Sequence, residues 1–258
     1  MSVEDSANPR AGSFGAAAAE YERGRPSYPA AAVDWLLPPG ARRVLDLGAG
    51  TGKLTRELAE RGLEVVAVEP IGAMREQLSR VLPDVTVLAG AAEQIPLDDN
   101  SVDAVLVAQA WHWVNADLAV PEVARVLTTG GSLGMVWNIR DNREDWVAEL
   151  GLILNRRGDR DAYRTAPIIG PPFGPVERLD FESSQHLTPE TLVDLVASRS
   201  YIITMPAAER AAALEEVREL VNRHPALAGS GGIVLPYVTE CYRTTLAAAD
   251  LPGAAEPR

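Results

Sequence analysis

The sequence contains a single cysteine, Cys241. An intrachain disulfide is therefore excluded, and a reducing compartment is expected. No apolar run approaches the ~20 residues needed to span a bilayer. The opening residues also lack the basic-then-apolar pattern of a secretory signal. These absences lead to the expectation of a cytoplasmic protein with no membrane partner. Runs of Lys and Arg are missing too. With 24 basic against 36 acidic residues, the net charge is −12. Such a field repels phosphate backbones and disfavours nucleic acid as a partner. The three histidines, His112, His186 and His224, lack ligand spacing, so no metal centre is expected. A lone cysteine in an apolar stretch reads as core.

What is present is a chain of 258 residues, 47% hydrophobic and 23% charged, enough for one large α/β domain. Helical stretches are expected at Pro29–Leu37, Gly52–Arg61, Gly72–Leu82 and Leu118–Leu127, the last closed by Gly130 and Gly131. Between them lie apolar strands at Arg43–Leu47, Glu64–Val68, Val85–Leu88, Val102–Val107 and Ser132–Trp137. These strands are continuously apolar, as strands covered on both faces are. Repeated strand–helix units of this kind wind into a doubly wound, parallel α/β sheet. After Trp137 the pattern changes. Helices are expected at Asp141–Arg157, Pro189–Ala197 (opened by Thr188 as N-cap) and Ala207–Arg223, with strands at Val176–Leu187 and Ile233–Leu246.

The central motif runs from Val44 to Thr55: an apolar strand, the glycine turn Gly48-Ala49-Gly50-Thr51-Gly52, then a helix. Glycine permits backbone conformations and close ligand approach that a Cβ would block. A helix start offers unpaired N–H groups to a carboxylate or phosphate. Glu69 ends the following strand, 21 residues beyond Gly48. In doubly wound folds an acid at that distance accepts hydrogen bonds from ribose hydroxyls. The pair indicates an adenosine-type ligand at the carboxyl edge of the sheet. The dinucleotide fingerprint G-x-G-x-x-G is not met, because the third glycine is one position early and Lys53 fills its place.

With Asp46 ahead of the loop, the segment resembles motif I, D-x-G-x-G-x-G, of the class I S-adenosylmethionine-dependent methyltransferases. The resemblance implies a Rossmann-like, mostly parallel, seven-stranded sheet with helices on both faces and an antiparallel last strand. It implies S-adenosyl-L-methionine as cofactor, S-adenosyl-L-homocysteine as product and a small-molecule acceptor methylated by in-line displacement. Asp46 and Gly48, Ala49, Gly50 and Gly52 would hold the methionine moiety, and Glu69 with Pro70 the ribose. Gly90–Leu97 resembles the family's G-D-A-x-x-L-P-F segment, with Ala91 where an Asp usually contacts adenine. Adenine recognition would then rest on Ala92 or Glu93. Gln109 and Ala110, after the fourth strand, would complete the cofactor site.

The acceptor side is read from Trp111, His112 and Trp113, two tryptophans and a histidine at the end of a central strand. His112 would be the catalytic group, orienting or deprotonating the acceptor; otherwise the triplet is aromatic packing beside a surface histidine. Tyr21 and Arg25, in a Tyr…Arg-Pro-x-Tyr-Pro stretch, resemble a segment that lies over the cleft in the trans-aconitate methyltransferase group, with Phe14 in the same lid. Asn138, Arg140 and Arg199 are further candidates, the arginines as grips for a carboxylate or as structural ion-pair partners. The implied organisation is a tail over 1–12 and one methyltransferase domain over 13–250, followed by a tail over 251–258. Within the domain, 13–40 form a lid and first helix, 41–140 the cofactor core, 141–232 a substrate-shaping helical region and 233–246 the last strand. A monomer or homodimer is expected. An NAD(P)-dependent oxidoreductase and a non-catalytic cofactor-binding module are the rival readings.

Overall fold

Unbroken apolar strands demand cover on both faces, and the computed structural model supplies it. It describes residues 26–155, 166–229 and 231–247. The expected tails, Phe14, Tyr21, Arg25 and the end of the helix reaching Arg157 lie outside the described residues. The elements in chain order are α1 (Ala30–Leu36), β1 (Arg43–Leu47), α2 (Lys53–Ala59), β2 (Glu64–Val68), α3 (Gly72–Val81), β3 (Thr86–Leu88) and β4 (Val102–Ala108). Then come α4 (Ala116–Val126), β5 (Leu127–Arg140), α5 (Asp145–Asn155), β6 (Glu177–Leu187), α6 (Pro189–Ala197), α7 (Ser200–Ile203), α8 (Ala207–Arg223) and β7 (Ile233–Thr245).

The seven strands form one sheet in the order β3-β2-β1-β4-β5-β7-β6. The five from β3 to β5 are parallel, with Leu45 beside both Val66 and Val105. The last strand, β7, runs antiparallel between β5 and β6, from Ser132↔Thr245 to Arg140↔Tyr237 on one side. This is the Rossmann-like sheet the motif implied.

Alternation along each strand divides the core. Leu45, Val105, Leu133 and Met135 pack in one cluster with Val120, Val123 and Val126 of α4. Val44, Leu106 and Val136 pack in another with Ala32, Val33 and Leu36 of α1 and Leu54 and Leu58 of α2. Cys241 is buried there, as expected of a core cysteine. Each fully buried Leu or Val contributes roughly 1.5–3 kcal/mol from removal of apolar surface. A separate cluster joins α5, α6 and α8 to Leu187, Ile233, Leu235 and Tyr237, forming a helical lobe against the ends of β6 and β7. Helix α6 opens on a reciprocal capping box, Thr191 N–H to Thr188 Oγ1 at 3.2 Å and Thr188 N–H to Thr191 Oγ1 at 2.7 Å.

Some boundaries differ from the sequence reading for identifiable reasons. Gly130 and Gly131 do not end α4. The helix stops at Val126, where Leu127 turns extended (φ −83 is the habit elsewhere at α1; here φ −74, ψ 138) and begins pairing with Val102. The glycines lie in the irregular start of β5, before pairing resumes at Ala104↔Ser132. Helix α5 starts at Asp145 because Asp141 turns back to accept the Arg143 N–H at 3.1 Å. No helix among the described residues is long and apolar enough to cross a membrane.

Candidate active site

The order of strands reverses between β1 and β4, the crevice where open α/β sheets bind ligands. Four carboxyl ends meet there: Gly48 after β1, Glu69 after β2, Gln109 after β4 and Asn138 near the end of β5. The glycine turn follows β1 directly. Its first N–H groups, of Gly48 and Ala49, both bond the Val68 carbonyl at 2.8 and 3.1 Å. Gly48 has φ +75, and a Cβ there would stand 2.9 Å from the Ala110 Cβ. Gly52, at φ +95, caps α2, and its Cβ would meet Leu78 Cγ at 3.0 Å. Glycine is therefore required at both positions by conformation and by space.

Glu69 is 4% exposed. One carboxylate oxygen accepts the Gly50 N–H at 2.9 Å and the other the Ile71 N–H at 2.9 Å. It thus fastens the glycine turn to the end of β2, while each oxygen keeps a second lone pair for a ligand. Burial raises its pKa, and the two N–H bonds oppose that rise. Asp46 is fully buried on β1. Its Oδ2 accepts the Thr55 hydroxyl of α2 at 2.6 Å, whereas Oδ1 has no hydrogen-bond partner among the described residues. Burial pushes its pKa up to about 7; the Thr55 bond lowers it and the nearby Glu69 charge raises it.

The cleft above the turn is narrow and open at its mouth. Gly48, Ala49, Gly50, Thr51, Lys53 and Leu54 form one wall, and Ala108 and Gln109 the floor. Pro26, Tyr28, Asn138, Arg199 and Tyr237 form the other side. Gln109 is a non-glycine residue at φ +57. Its N–H is pinned to the Val136 carbonyl at 2.9 Å, and the kink turns the chain toward Ala110 and Gly48. Asn138 is fixed at both ends, donating to the Ser27 carbonyl at 3.1 Å and accepting the Thr239 hydroxyl at 2.7 Å. Arg199 reaches the cleft from the turn between α6 and α7.

The remaining sequence candidates fall elsewhere. Trp111, His112 and Trp113 make one 3-10 turn, and none of them lines the cleft. Trp111 is buried in the same core cluster as Trp137 and Phe173, which corrects the expectation that it faces the acceptor. Its indole satisfies the core instead. Trp113 is 46% exposed and lies against the His112 ring at 4.7 Å. Ala92 is buried in the core, and Glu93 accepts the Asn115 N–H at 2.8 Å, tying its loop to the head of α4. Arg140 is half-buried at the end of β5, opposite Tyr237. Pro70 is exposed, its carbonyl taken by Arg75 at 2.7 Å. The sequence reading missed Lys53, Leu54, Ala108 and Tyr237 as cleft residues, and Thr55 as the partner of Asp46; Tyr28 and Thr51 lie in stretches it places at the cleft. The available signal for Thr55 was only a hydroxyl residue in the first turn of the helix that follows the glycine turn. Among the described residues no group of three or more His, Cys, Asp or Glu side chains is arranged to hold a metal ion.

Comparisons with known proteins bear on the family and the fold. Residues 45–135 match the family model described as a methyltransferase domain. The chain is 61% identical over 235 residues to an uncharacterized methyltransferase of Mycobacterium tuberculosis, covering 91% of this chain and 96% of the relative. It is 37% identical over 234 residues to an uncharacterized methyltransferase-like protein of Schizosaccharomyces pombe, covering 87% and 91%. The solved structure of a protein assigned as a type II methyltransferase from Anaeromyxobacter dehalogenans superposes with a TM-score of 0.70 at 26% identity, covering 86% of this chain and 98% of that one. The oxidoreductase and non-catalytic readings give way to these findings. The chain belongs to the class I S-adenosylmethionine-dependent methyltransferases.

Proposed function

We propose that the chain binds S-adenosylmethionine in the Gly48–Asn138 cleft and methylates a small molecule held on the Asn138, Arg199 and Tyr237 side. The observation that carries this reading is the glycine turn clamped by Glu69 through Gly50, beside a position where Ala110 would collide with any Gly48 Cβ. That cradle fits a ligand pressed against backbone. The buried Asp46 Oδ1, without a hydrogen-bond partner among the described residues, suits the cationic character of the same ligand. The bound cofactor supplies a sulfonium-activated methyl group.

The protein's own residues position and enclose. Glu69 holds the turn and has lone pairs for ribose hydroxyls. Thr51 and Lys53, at the head of α2, face the same wall. Gln109 stands between this wall and the polar side, where alignment of donor and acceptor is needed. Arg199 and Tyr237 give the acceptor side a guanidinium and a phenol. A bounded cleft, rather than an open basic groove, and a net charge of −12 favour a small molecule over nucleic acid. Calorimetry with S-adenosylhomocysteine tests the donor half. Saturable binding is expected, and no heat at millimolar ligand overturns the reading. Transfer of radiolabelled methyl from S-adenosylmethionine to a small-molecule fraction tests the acceptor half.

A further inference from the structure

Among the described residues, two that are not glycine have a left-handed backbone, Asn100 and Gln109. Asparagine is one of the few side chains that enter this region readily, and Asn100 lies in an exposed turn. Glutamine lacks that tolerance. At φ +57, Gln109 holds a conformation that the cleft elsewhere gives to Gly48, Gly50 and Gly52. Such a residue costs free energy and persists only where its surroundings fix it. Here the Gln109 N–H is fixed on the Val136 carbonyl at 2.9 Å, just after β4 ends at Ala108.

Glycine would make the same turn without strain, so the backbone gives no reason for glutamine. What glutamine adds is a carboxamide, with an accepting oxygen and a donating NH₂. Gln109 is half-buried and lines the cleft floor. Its carboxamide has no hydrogen-bond partner among the described residues. Polar groups on the adjoining side are already engaged. Asn138 donates to the Ser27 carbonyl and accepts the Thr239 hydroxyl, and Tyr237 donates its phenol to Gln185 at 3.4 Å. The backbone ties also differ. Gln109 is bonded to β5, the strand that carries Asn138, whereas the glycine turn is bonded to Val68 and Glu69 of the β2 end. Gln109 thus goes with the polar side of the cleft rather than with the glycine wall.

We propose that Gln109 aligns the methyl acceptor: its left-handed backbone holds the carboxamide in the cleft, where it hydrogen-bonds the acceptor at or next to the atom that receives the methyl group. This rests on the reading of the cleft given above, and it moves Gln109 from the cofactor site, where the resemblance put it, to the acceptor. The acceptor is then an alcohol, phenol or amine, a heteroatom nucleophile that can both give and take a hydrogen bond. In the step served, a lone pair of that atom forms the bond to the methyl carbon. The carbon–sulfur bond breaks with its electron pair left on sulfur, and the proton of the acceptor atom passes to solvent. The carboxamide makes and breaks no covalent bond; it contributes orientation.

Gln109→Gly removes the side chain at a backbone conformation that glycine adopts freely, so it separates the carboxamide from the turn. The full chain and this variant are compared by thermal unfolding, by calorimetry with S-adenosylhomocysteine, and by transfer of radiolabelled methyl from S-adenosylmethionine to a filtered small-molecule cell extract. Gln109→Gly is expected to unfold at the native temperature or above it and to bind S-adenosylhomocysteine with native affinity. Its methyl transfer at saturating donor should fall at least about tenfold, the effect of one hydrogen bond lost beside the reacting atoms. Gln109→Ala keeps the native backbone cost and should lose transfer to the same extent, which decides the question even where Gln109→Gly fails to fold. Gln109→Asn restores an amide one methylene short, at a φ that asparagine tolerates, and should transfer faster than either. Native transfer rates in the folded Gly or Ala variant overturn the proposal and leave the donor reading intact. Loss of S-adenosylhomocysteine binding in either folded variant assigns the carboxamide to the donor, which also overturns it. No transfer by the native chain overturns the acceptor reading, and no S-adenosylhomocysteine binding by the native chain overturns the donor reading; either takes this proposal with it.

Discussion

At the scale of single residues, the glycine turn is the most constrained part of the cleft. Gly48→Ala faces two costs: a left-handed φ of +75 and a contact at 2.9 Å with Ala110. The conformational cost alone is roughly 1–2 kcal/mol. Thermal unfolding is expected to show a loss of at least that size, together with loss of S-adenosylhomocysteine binding. Adding Ala110→Gly relieves the contact but not the φ, so only partial recovery of stability is expected. Glu69→Gln places an amide NH₂ against either the Gly50 or the Ile71 N–H. Donor facing donor costs about 1–3 kcal/mol, and binding should weaken by a comparable amount in calorimetry.

Asp46 adds a pH dependence to stability. Its pKa in the fold is raised, to about 7 from 3.8. The free protein therefore binds this proton more tightly than the unfolded chain does. The resulting stability is full below about pH 4 and is lost as pH rises through about 7. Asp46→Asn, which cannot ionise, should be more stable than the native chain at pH 8, by on the order of 2–4 kcal/mol. That advantage should shrink toward pH 4. Denaturant unfolding at the two pH values measures it, and equal differences at both would show that burial of the charge is not what limits stability here.

At the scale of elements, legibility followed the kind of signal each segment carries. The strands Arg43–Leu47 and Glu64–Val68 and the helices Pro189–Ala197 and Ala207–Arg223 have the bounds the sequence predicts. Their apolar periodicity and caps are local properties. The junction of α4 and β5 was misread because it depends on pairing with Val102, a residue 25 positions away from Leu127. The Trp111–Trp113 turn was read as a display of aromatic groups because sequence does not tell a core indole from a ligand-facing one. Here Trp111 fills the core and Trp113 is partly exposed. The glycine wall was legible, since it lies with Asp46 and Glu69 in one strand–turn–helix–strand unit. The opposite wall was legible only in part: the sequence offers Asn138, Arg199 and the stretch containing Tyr28, but not Tyr237, which reaches the cleft from the last strand. Helix α6, legible from its Thr188 cap, leads into the opposite wall. Its capping box precedes by one helix the Arg199 that lines the cleft. Thr188→Ala should lower stability by about 0.5–2 kcal/mol. Thermal unfolding would show this, with S-adenosylhomocysteine affinity unchanged, because the donor wall lies in the other half of the chain.

At the scale of the whole molecule, Ser27 ties the polar side of the cleft to helix α2. Ser27 donates its hydroxyl to Glu57 of α2 at 2.6 Å, and its carbonyl accepts from Asn138 of β5 at 3.1 Å. The flanking Pro26 and Tyr28 line the cleft, so this crossing is a strap over the ligand space. Its two anchors are unequal. Ser27 is exposed and its bond to Glu57 competes with water, so Ser27→Ala should change little. Asn138 also accepts from Thr239, which is 0% exposed. Asn138→Ala therefore loses the strap anchor and one of the two hydrogen bonds of the Thr239 hydroxyl, the other being to Ser183 at 3.3 Å, costing about 0.5–1.5 kcal/mol in stability. If the strap retains the cofactor, that substitution should speed S-adenosylhomocysteine dissociation, whereas Thr239→Val, which removes the hydroxyl but leaves the Asn138–Ser27 bond available, should not. Stopped-flow release measured on both variants separates the two effects. Equal dissociation rates in Asn138→Ala and the native chain would show that the strap is a structural tie alone.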